Sequence, residues 1–137
     1  MPDPNPLAPP PPPRALTVAV VGPCAAGKST LVAGLRERGY NAHHVAQEHS
    51  FVPEMWQEMT HPDVLVYLNA SYETIRGRRQ LDWTEADYAE QQRRLGHARQ
   101  NASLYLSTDN IGPEEMVAWV LDFLGSGYEA GVPSRAP

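Results

Sequence analysis

The sequence has a single cysteine, Cys24, which excludes an internal disulfide and a zinc site built from several cysteines. It contains no apolar stretch long enough to span a membrane. Its proline-rich start, residues 1–13, has neither the charged entry nor the apolar centre of a signal peptide, so we expect a cytoplasmic protein. The net charge of -5 argues against nonspecific nucleic-acid binding, which requires a basic surface.

Lysine is equally scarce, since Lys28 is the only lysine among 11 lysine and arginine residues. It lies in a segment that matches the phosphate-binding pattern GxxxxGK[ST] in full. Because the planar fork of arginine does not replace a compact ammonium, a solitary lysine here indicates a site that requires one. The predicted cofactor-binding residues are Gly22, Pro23, Cys24, Ala25, Ala26, Gly27, Lys28, Ser29 and Thr30.

The surroundings of this segment strengthen the match. An apolar run rich in β-branched residues, 16–21, precedes it and predicts a buried parallel strand. Residues 29–38 follow with apolar side chains at helical spacing, and Gly39 provides a helix stop. Strand, glycine loop and helix are the setting in which backbone amides wrap phosphates at the positive end of a helix.

The rest of the chain alternates between strands and helices. Further strands are predicted at 40–47, 63–68 and 104–106, and further helices at 72–79, at 84–101 and from Pro113 onward. This alternation predicts an α/β fold in which helices cover both faces of a parallel sheet. The 137 residues allow one folded domain, 14–125, between a disordered proline-rich leader, 1–13, and a disordered tail, 126–137.

Three segments together resemble the P-loop small-molecule and nucleotide kinases, such as adenylylsulfate, shikimate and deoxynucleoside kinases. They are the glycine loop, the strand 62–68 with the arginine-rich helix after it, and the closing segment 102–117 with its Thr108-Asp109 turn. The resemblance implies a compact three-layer P-loop domain with about four parallel strands in the order 2-1-3-4. It also implies ATP and Mg²⁺ as cofactors, with Ser29 on the metal and Arg78, then Arg99, as candidates for the arginine that closes over ATP.

A carboxylate that could serve the chemistry is Glu48. It falls where the second strand should reach the carboxyl edge of the sheet, so it could orient magnesium or accept a proton from an acceptor hydroxyl. Glu48 could instead cap a turn. A metal cluster of His43, His44, Glu48 and His49 is the weaker alternative, because neighbouring side chains of a strand point to opposite faces.

Other candidates have simpler interpretations. The arginines of both helices could form solvated faces paired with glutamates, and Cys24 could be either a small space-filler or a redox-sensitive thiol. Three aromatic residues could line a pocket, but we interpret them first as core or loop-anchoring residues. They are Trp56, Trp83 and Tyr88.

The sequence therefore predicts an ATP-dependent kinase that transfers a γ-phosphoryl group to a small acceptor, with Lys28, Glu48, Arg78 and Arg99 as catalytic residues. The alternative is a nucleotide-binding regulatory or partner-docking module with little turnover. A GTPase is excluded, because guanine selection in that family uses Asn-Lys-x-Asp and the only lysine lies elsewhere. We expect no nucleic-acid or membrane partner, and a homodimer is an open alternative.

Overall fold

The computed structural model describes residues 16–79, 83–125 and 134–136. The predicted leader, 1–13, and most of the predicted tail lie outside these residues. No helix in the described part of the chain is long and apolar enough to cross a membrane.

The centre of the fold is an all-parallel sheet. Its strands are β1 (Thr17–Val21), β2 (Asn41–His44), β3 (Val64–Asn69), β4 (Leu104–Ser107) and β5 (Ser134–Ala136). The order across the sheet is 2-1-3-4-5, so the predicted α/β class and the order 2-1-3-4 are confirmed for the first four strands. The fifth strand pairs with β4 and comes from the segment that the sequence assigned to the tail.

Six helices connect or cover the strands of the described chain. They are α1 (Lys28–Glu37), α2 (Met55–Thr60), α3 (Tyr72–Arg79), α4 (Glu85–Arg94), α5 (Gly96–Gln100) and α6 (Pro113–Gly125). Because β1 and β3 are buried on both faces, their side chains alternate between two apolar clusters. Val18 and Val20 pack with α1 and α6, whereas Ala19 and Val21 pack with residues of α2 and α5. The domain therefore has three layers.

Two predicted elements differ from those observed. The predicted helix 84–101 begins with a capping box of Thr84 and Asp87 but breaks at Leu95, just before Gly96, a poor helix former. The predicted second strand, 40–47, ends at His44, because Gln47 turns inward. Its buried amide accepts from the Trp56 amide and donates to the Val52 carbonyl, which holds a short 3₁₀ helix, Gln47–His49.

Candidate functional site

A pocket of about 630 Å³ opens at the carboxyl edge of the sheet. It lies where β1, β2 and β4 end, the edge at which open parallel sheets bind ligands. The segment that follows β1, residues 22–30, is called the glycine loop below. The pocket is lined by residues 24–30 of that loop and by His44, Ala46, Glu48, His49, Arg78, Thr108, Ile111, Gly112, Pro113 and Met116.

Close packing explains both glycines of the loop. A Cβ atom on Gly22 would lie 2.1 Å from the Leu68 carbonyl oxygen, so no larger residue fits without moving the backbone of β3. Gly27 has a φ of 112°, and a Cβ there would lie 3.1 Å from the sulfur of Met116. The loop is therefore wedged between β3 and α6, which fixes its path across the floor of the pocket.

The last three residues of the glycine loop form the uncapped first turn of α1. Gly27 is the N-cap residue, and no side chain caps the helix. The first amide N–H groups of a helix have no acceptor within the helix, and the helix dipole adds positive potential at the same end. Because Lys28, Ser29 and Thr30 form this first turn and line the pocket, the pocket floor is a favourable place for an anion.

The Lys28 side chain folds back over the loop. Its ammonium donates to the carbonyl oxygens of Gly22 at 2.7 Å and Pro23 at 3.0 Å, and to Glu48 Oε2 at 2.6 Å. Three acceptors therefore surround an ammonium that has three protons, an arrangement that a planar guanidinium would not reproduce.

Glu48 is the buried partner of that lysine. It lies in the 3₁₀ helix after β2, and only 4% of its side chain is exposed. Within the described chain, its second oxygen, Oε1, is buried and has no hydrogen-bond partner. Such an atom is expensive to bury, so it is suited to bind a ligand that the protein itself does not supply. Glu48 is also the only carboxylate among the described residues that line the pocket.

Cys24 is more than a space-filler in this loop. Its Sγ lies 3.4 Å from His49 Nε2 and 4.0 Å from Glu48 Oε2. The Gln91 side chain forms two hydrogen bonds with the same residue. It donates to Sγ at 3.1 Å and accepts from the Cys24 amide at 3.0 Å. Sequence analysis missed the thiol's neighbours, because His49 and Gln91 are 25 and 67 residues away along the chain.

Arg78 lies at the pocket, as predicted. Its guanidinium donates to the carbonyl oxygens of Ala25 at 2.8 Å and Thr108 at 2.6 Å, and to the Thr108 hydroxyl at 3.2 Å. The Thr108 hydroxyl in turn donates to the Ala26 carbonyl at 2.9 Å. Arg78 thus ties the end of α3 to both the glycine loop and the turn after β4.

Arg99 does not reach the pocket. Its guanidinium donates to the Tyr67 hydroxyl at 3.1 Å and to the side-chain oxygen of Gln92 at 3.1 Å. Burial raises the pKa of the Tyr67 hydroxyl, and the Arg99 cation partly offsets that rise. Because α5 packs on β3, Arg99 lies in the helix layer that contains α5. It is not among the residues that line the pocket.

The structure also decides where the three candidate aromatic residues and the candidate histidine cluster lie. Trp56 is buried, with its ring N–H bonded to His97, while Trp83 and Tyr88 pack with Tyr72; none of these residues lines the pocket. His43 pairs with Asn41, so the cluster of His43, His44, Glu48 and His49 is not formed. The group of metal-ligating side chains that the described chain does bring together is Cys24, Glu48 and His49.

No protein-family model and no curated protein matches this chain.

Proposed function

We propose that this protein binds ATP and Mg²⁺ in the pocket at the carboxyl edge of the sheet and transfers the γ-phosphoryl group to a small acceptor. The observation that carries the proposal is Lys28. The only lysine of the chain lies on a glycine loop at the uncapped start of a helix, where amides and an ammonium face one pocket. Phosphate oxygens are the ligand that this combination suits best.

The lysine contacts suggest how phosphate would be received. The loop carbonyls and Glu48 accept one hydrogen bond each from the three ammonium protons. Phosphate oxygens would take over one or more of these bonds, and the first-turn amides of α1 would supply further donors. The binding site thus needs little rearrangement of its backbone, because the glycine loop is already fixed against β3.

Arg78 supplies the second cation of the pocket. Its guanidinium already bridges the loop and the turn after β4, so it lies beside the loop on which a phosphoryl group would bind. A planar fork is suited to charge that is spread over several phosphate oxygens. We assign Arg78, and not Arg99, to this role.

The residues present suit magnesium, because both candidate ligands are oxygens. Ser29 is exposed at the pocket and offers its hydroxyl, and Glu48 has a buried oxygen without a hydrogen-bond partner in the described chain. When bound with ATP, Mg²⁺ offsets the charge that develops on the phosphate oxygens. Glu48 itself is assigned to orient the metal or to accept the proton of the acceptor hydroxyl once the phosphates draw Lys28 away.

The second candidate is a nucleotide-binding regulatory module with little turnover. One observation favours it: the single carboxylate of the described pocket lining is already paired with Lys28 at 2.6 Å. If that pair persists in the nucleotide complex, the pocket has no free base for an acceptor hydroxyl.

A thermal-shift screen separates the two candidates. Nucleotides with Mg²⁺ are tested first, and small hydroxyl-bearing metabolites are then added to the best nucleotide. Ligands that bind only the folded state raise the melting temperature by mass action. If the protein is a kinase, the screen finds an acceptor, and the protein consumes ATP when that acceptor is present. If it is a regulator, it binds nucleotide but no acceptor is found. Failure of every nucleotide to shift the melting temperature would remove both.

A further inference from the structure

Cys24, Glu48 and His49 bring three different ligand atoms close together in the wall of the pocket. The distances are 3.4 Å between Cys24 Sγ and His49 Nε2, 3.9 Å between His49 Nε2 and Glu48 Oε2, and 4.0 Å between Cys24 Sγ and Glu48 Oε2. All three residues line the pocket, so an ion could enter from solvent.

These separations resemble those of a tetrahedral zinc site. With Zn–S bonds of about 2.3 Å and Zn–N and Zn–O bonds of about 2.0–2.2 Å, neighbouring ligands lie roughly 3.3–3.6 Å apart. One of the three observed separations falls in this range, and the other two exceed it by less than 1 Å. His49 is mostly exposed, so its side chain can rotate towards Cys24 and Glu48 as an ion binds.

An independent observation also indicates a ligand here. Glu48 is buried, and its Oε1 atom has no hydrogen-bond partner in the part of the chain that the structure describes. Oε2, the oxygen to which the distances above are measured, already accepts from Lys28, so the ion would share Oε2 with the lysine or bind the unused Oε1. The unused oxygen is thus accounted for if Glu48 has a second cationic partner.

We propose that Cys24, Glu48 and His49 form a binding site for a thiophilic divalent cation, with Zn²⁺ as the best fit. Glu48 binds as the carboxylate and His49 as the neutral imidazole, while the Cys24 thiol loses its proton to solvent as Sγ takes the metal. No electron is transferred. Three protein ligands would leave a fourth position for water or an anion.

Gln91 is the positioning residue of this site. Its side chain holds Cys24 from two sides, through the bond from Nε2 to Sγ and the bond from the Cys24 amide to Oε1. Hydrogen bonds of this kind fix the direction of a metal ligand and tune its basicity. Mg²⁺ and Zn²⁺ would share only Glu48, because Mg²⁺ prefers oxygen ligands and gains nothing from a thiolate.

One consequence rests on the proposed function. Zinc bound here would occupy the carboxylate assigned to magnesium, so it should inhibit any ATP turnover. The test of the metal site itself needs no nucleotide, and its failure would leave the proposed function standing.

The test is a titration of the chelator-treated full chain with Co²⁺, followed by displacement with Zn²⁺. We expect one equivalent of Co²⁺ to give the absorption of a thiolate-bound tetrahedral ion and Zn²⁺ to abolish it. Cys24→Ser should lose the thiolate-to-cobalt band, and His49→Asn should weaken binding at least about tenfold. His49 is exposed, so its replacement should leave the fold intact even if the buried Cys24→Ser does not.

The matched control is His61→Asn, which removes an exposed imidazole at the end of α2. Asparagine tolerates the φ of 45° found at that position. The control should bind Co²⁺ as the parent does. Absence of the thiolate band in the folded parent, or equal binding by parent and His49→Asn, would overturn the proposal.

Discussion

The ammonium of Lys28 and the carboxylate of Glu48 form an ion pair at 2.6 Å, although 20 residues separate them in the chain. Their side chains are only 10% and 4% exposed. Removing one member of a buried pair leaves a charge without compensation, which costs far more than the pair contributes. The stability of the domain and the chemistry of its pocket therefore depend on the same two residues.

Breaking this pair should destabilise the fold. We expect Lys28→Met to lower the free energy of unfolding by about 3 kcal/mol, because Glu48 is then buried without its cation. Adding Glu48→Gln to that variant should restore most of the loss, since the buried group is then neutral. Urea unfolding of the parent, both single variants and the double variant measures the coupling. Additive losses would show that the two side chains act independently.

Nucleotide affinity should depend on the same lysine. Lys28→Ala removes a point charge from the phosphate site and should weaken ATP binding at least about tenfold, or roughly 1.4 kcal/mol. Calorimetric titration measures it, and circular dichroism checks that the variant is folded. The control is Arg38→Ala, which removes an exposed cation at the far end of α1. Equal affinity of parent and Lys28→Ala would remove the central claim of the proposed function.

Gly22, which follows β1, and Gly77, which lies within α3, make a matched pair for testing the packing of the glycine loop. Gly22→Ala places a Cβ 2.1 Å from the Leu68 carbonyl and should cost about 3 kcal/mol or more in unfolding free energy. Gly77→Ala, in an exposed turn of α3 with no atom within 4 Å, should be neutral or stabilise by about 0.5–1 kcal/mol. Thermal melting of both variants compares them. Similar melting temperatures would contradict the wedged loop.

Local sequence patterns predicted the parts of the site that are built locally. The glycine loop, the strand before it and the helix after it are contiguous, so the spacing of Gly22, Gly27 and Lys28 carries their geometry. Glu48 was predicted at the carboxyl edge because a parallel strand must end there. Its contact with Lys28 was beyond reach, because it depends on the 3₁₀ helix that the buried Gln47 imposes.

Long-range packing decided what the sequence could not show. Arg99 follows the break at Leu95, and the short α5 packs against β3, which directs the guanidinium to Tyr67 instead of the pocket. The Cys24 neighbours come from two other segments, the turn after β2 and the middle of α4. The periodicity of a single segment does not predict contacts between residues of three separate segments. Gln91 is buried in the structure, but as one of two adjacent glutamines on a polar helix it gave no signal in the sequence.

The two arginines should therefore differ in what their loss changes. Arg78→Ala removes the bonds to Ala25 and Thr108 and should lower both ATP affinity and any turnover by about tenfold or more. Arg99→Ala should leave ATP affinity unchanged but reduce stability by about 1–2 kcal/mol, since it breaks bonds to Tyr67 and Gln92. Calorimetric titration and urea unfolding test both. Loss of affinity in Arg99→Ala would return that residue to the site.

Glu48→Gln tests whether the carboxylate carries chemistry. The amide keeps the size of the side chain but loses its charge and its ability to accept a proton. Binding of a nonhydrolysable ATP analogue should survive, because the loop amides and Lys28 remain. Phosphoryl transfer or ATP hydrolysis should fall by about a hundredfold or more. Turnover is measured at saturating ATP and magnesium, so that a weaker metal site does not imitate a lost base.

The control for that experiment is Glu58→Gln, which neutralises an exposed carboxylate on α2 and should retain parental turnover. Asp109 cannot take over, because its carboxylate accepts from the Ser71 amide at 2.8 Å and it does not line the pocket. If Glu48→Gln keeps parental turnover, Glu48 serves only to hold Lys28. If the parent itself shows no turnover with any acceptor while binding ATP tightly, the regulatory candidate is favoured, and the Lys28–Glu48 pair is the reason that the pocket lacks a base.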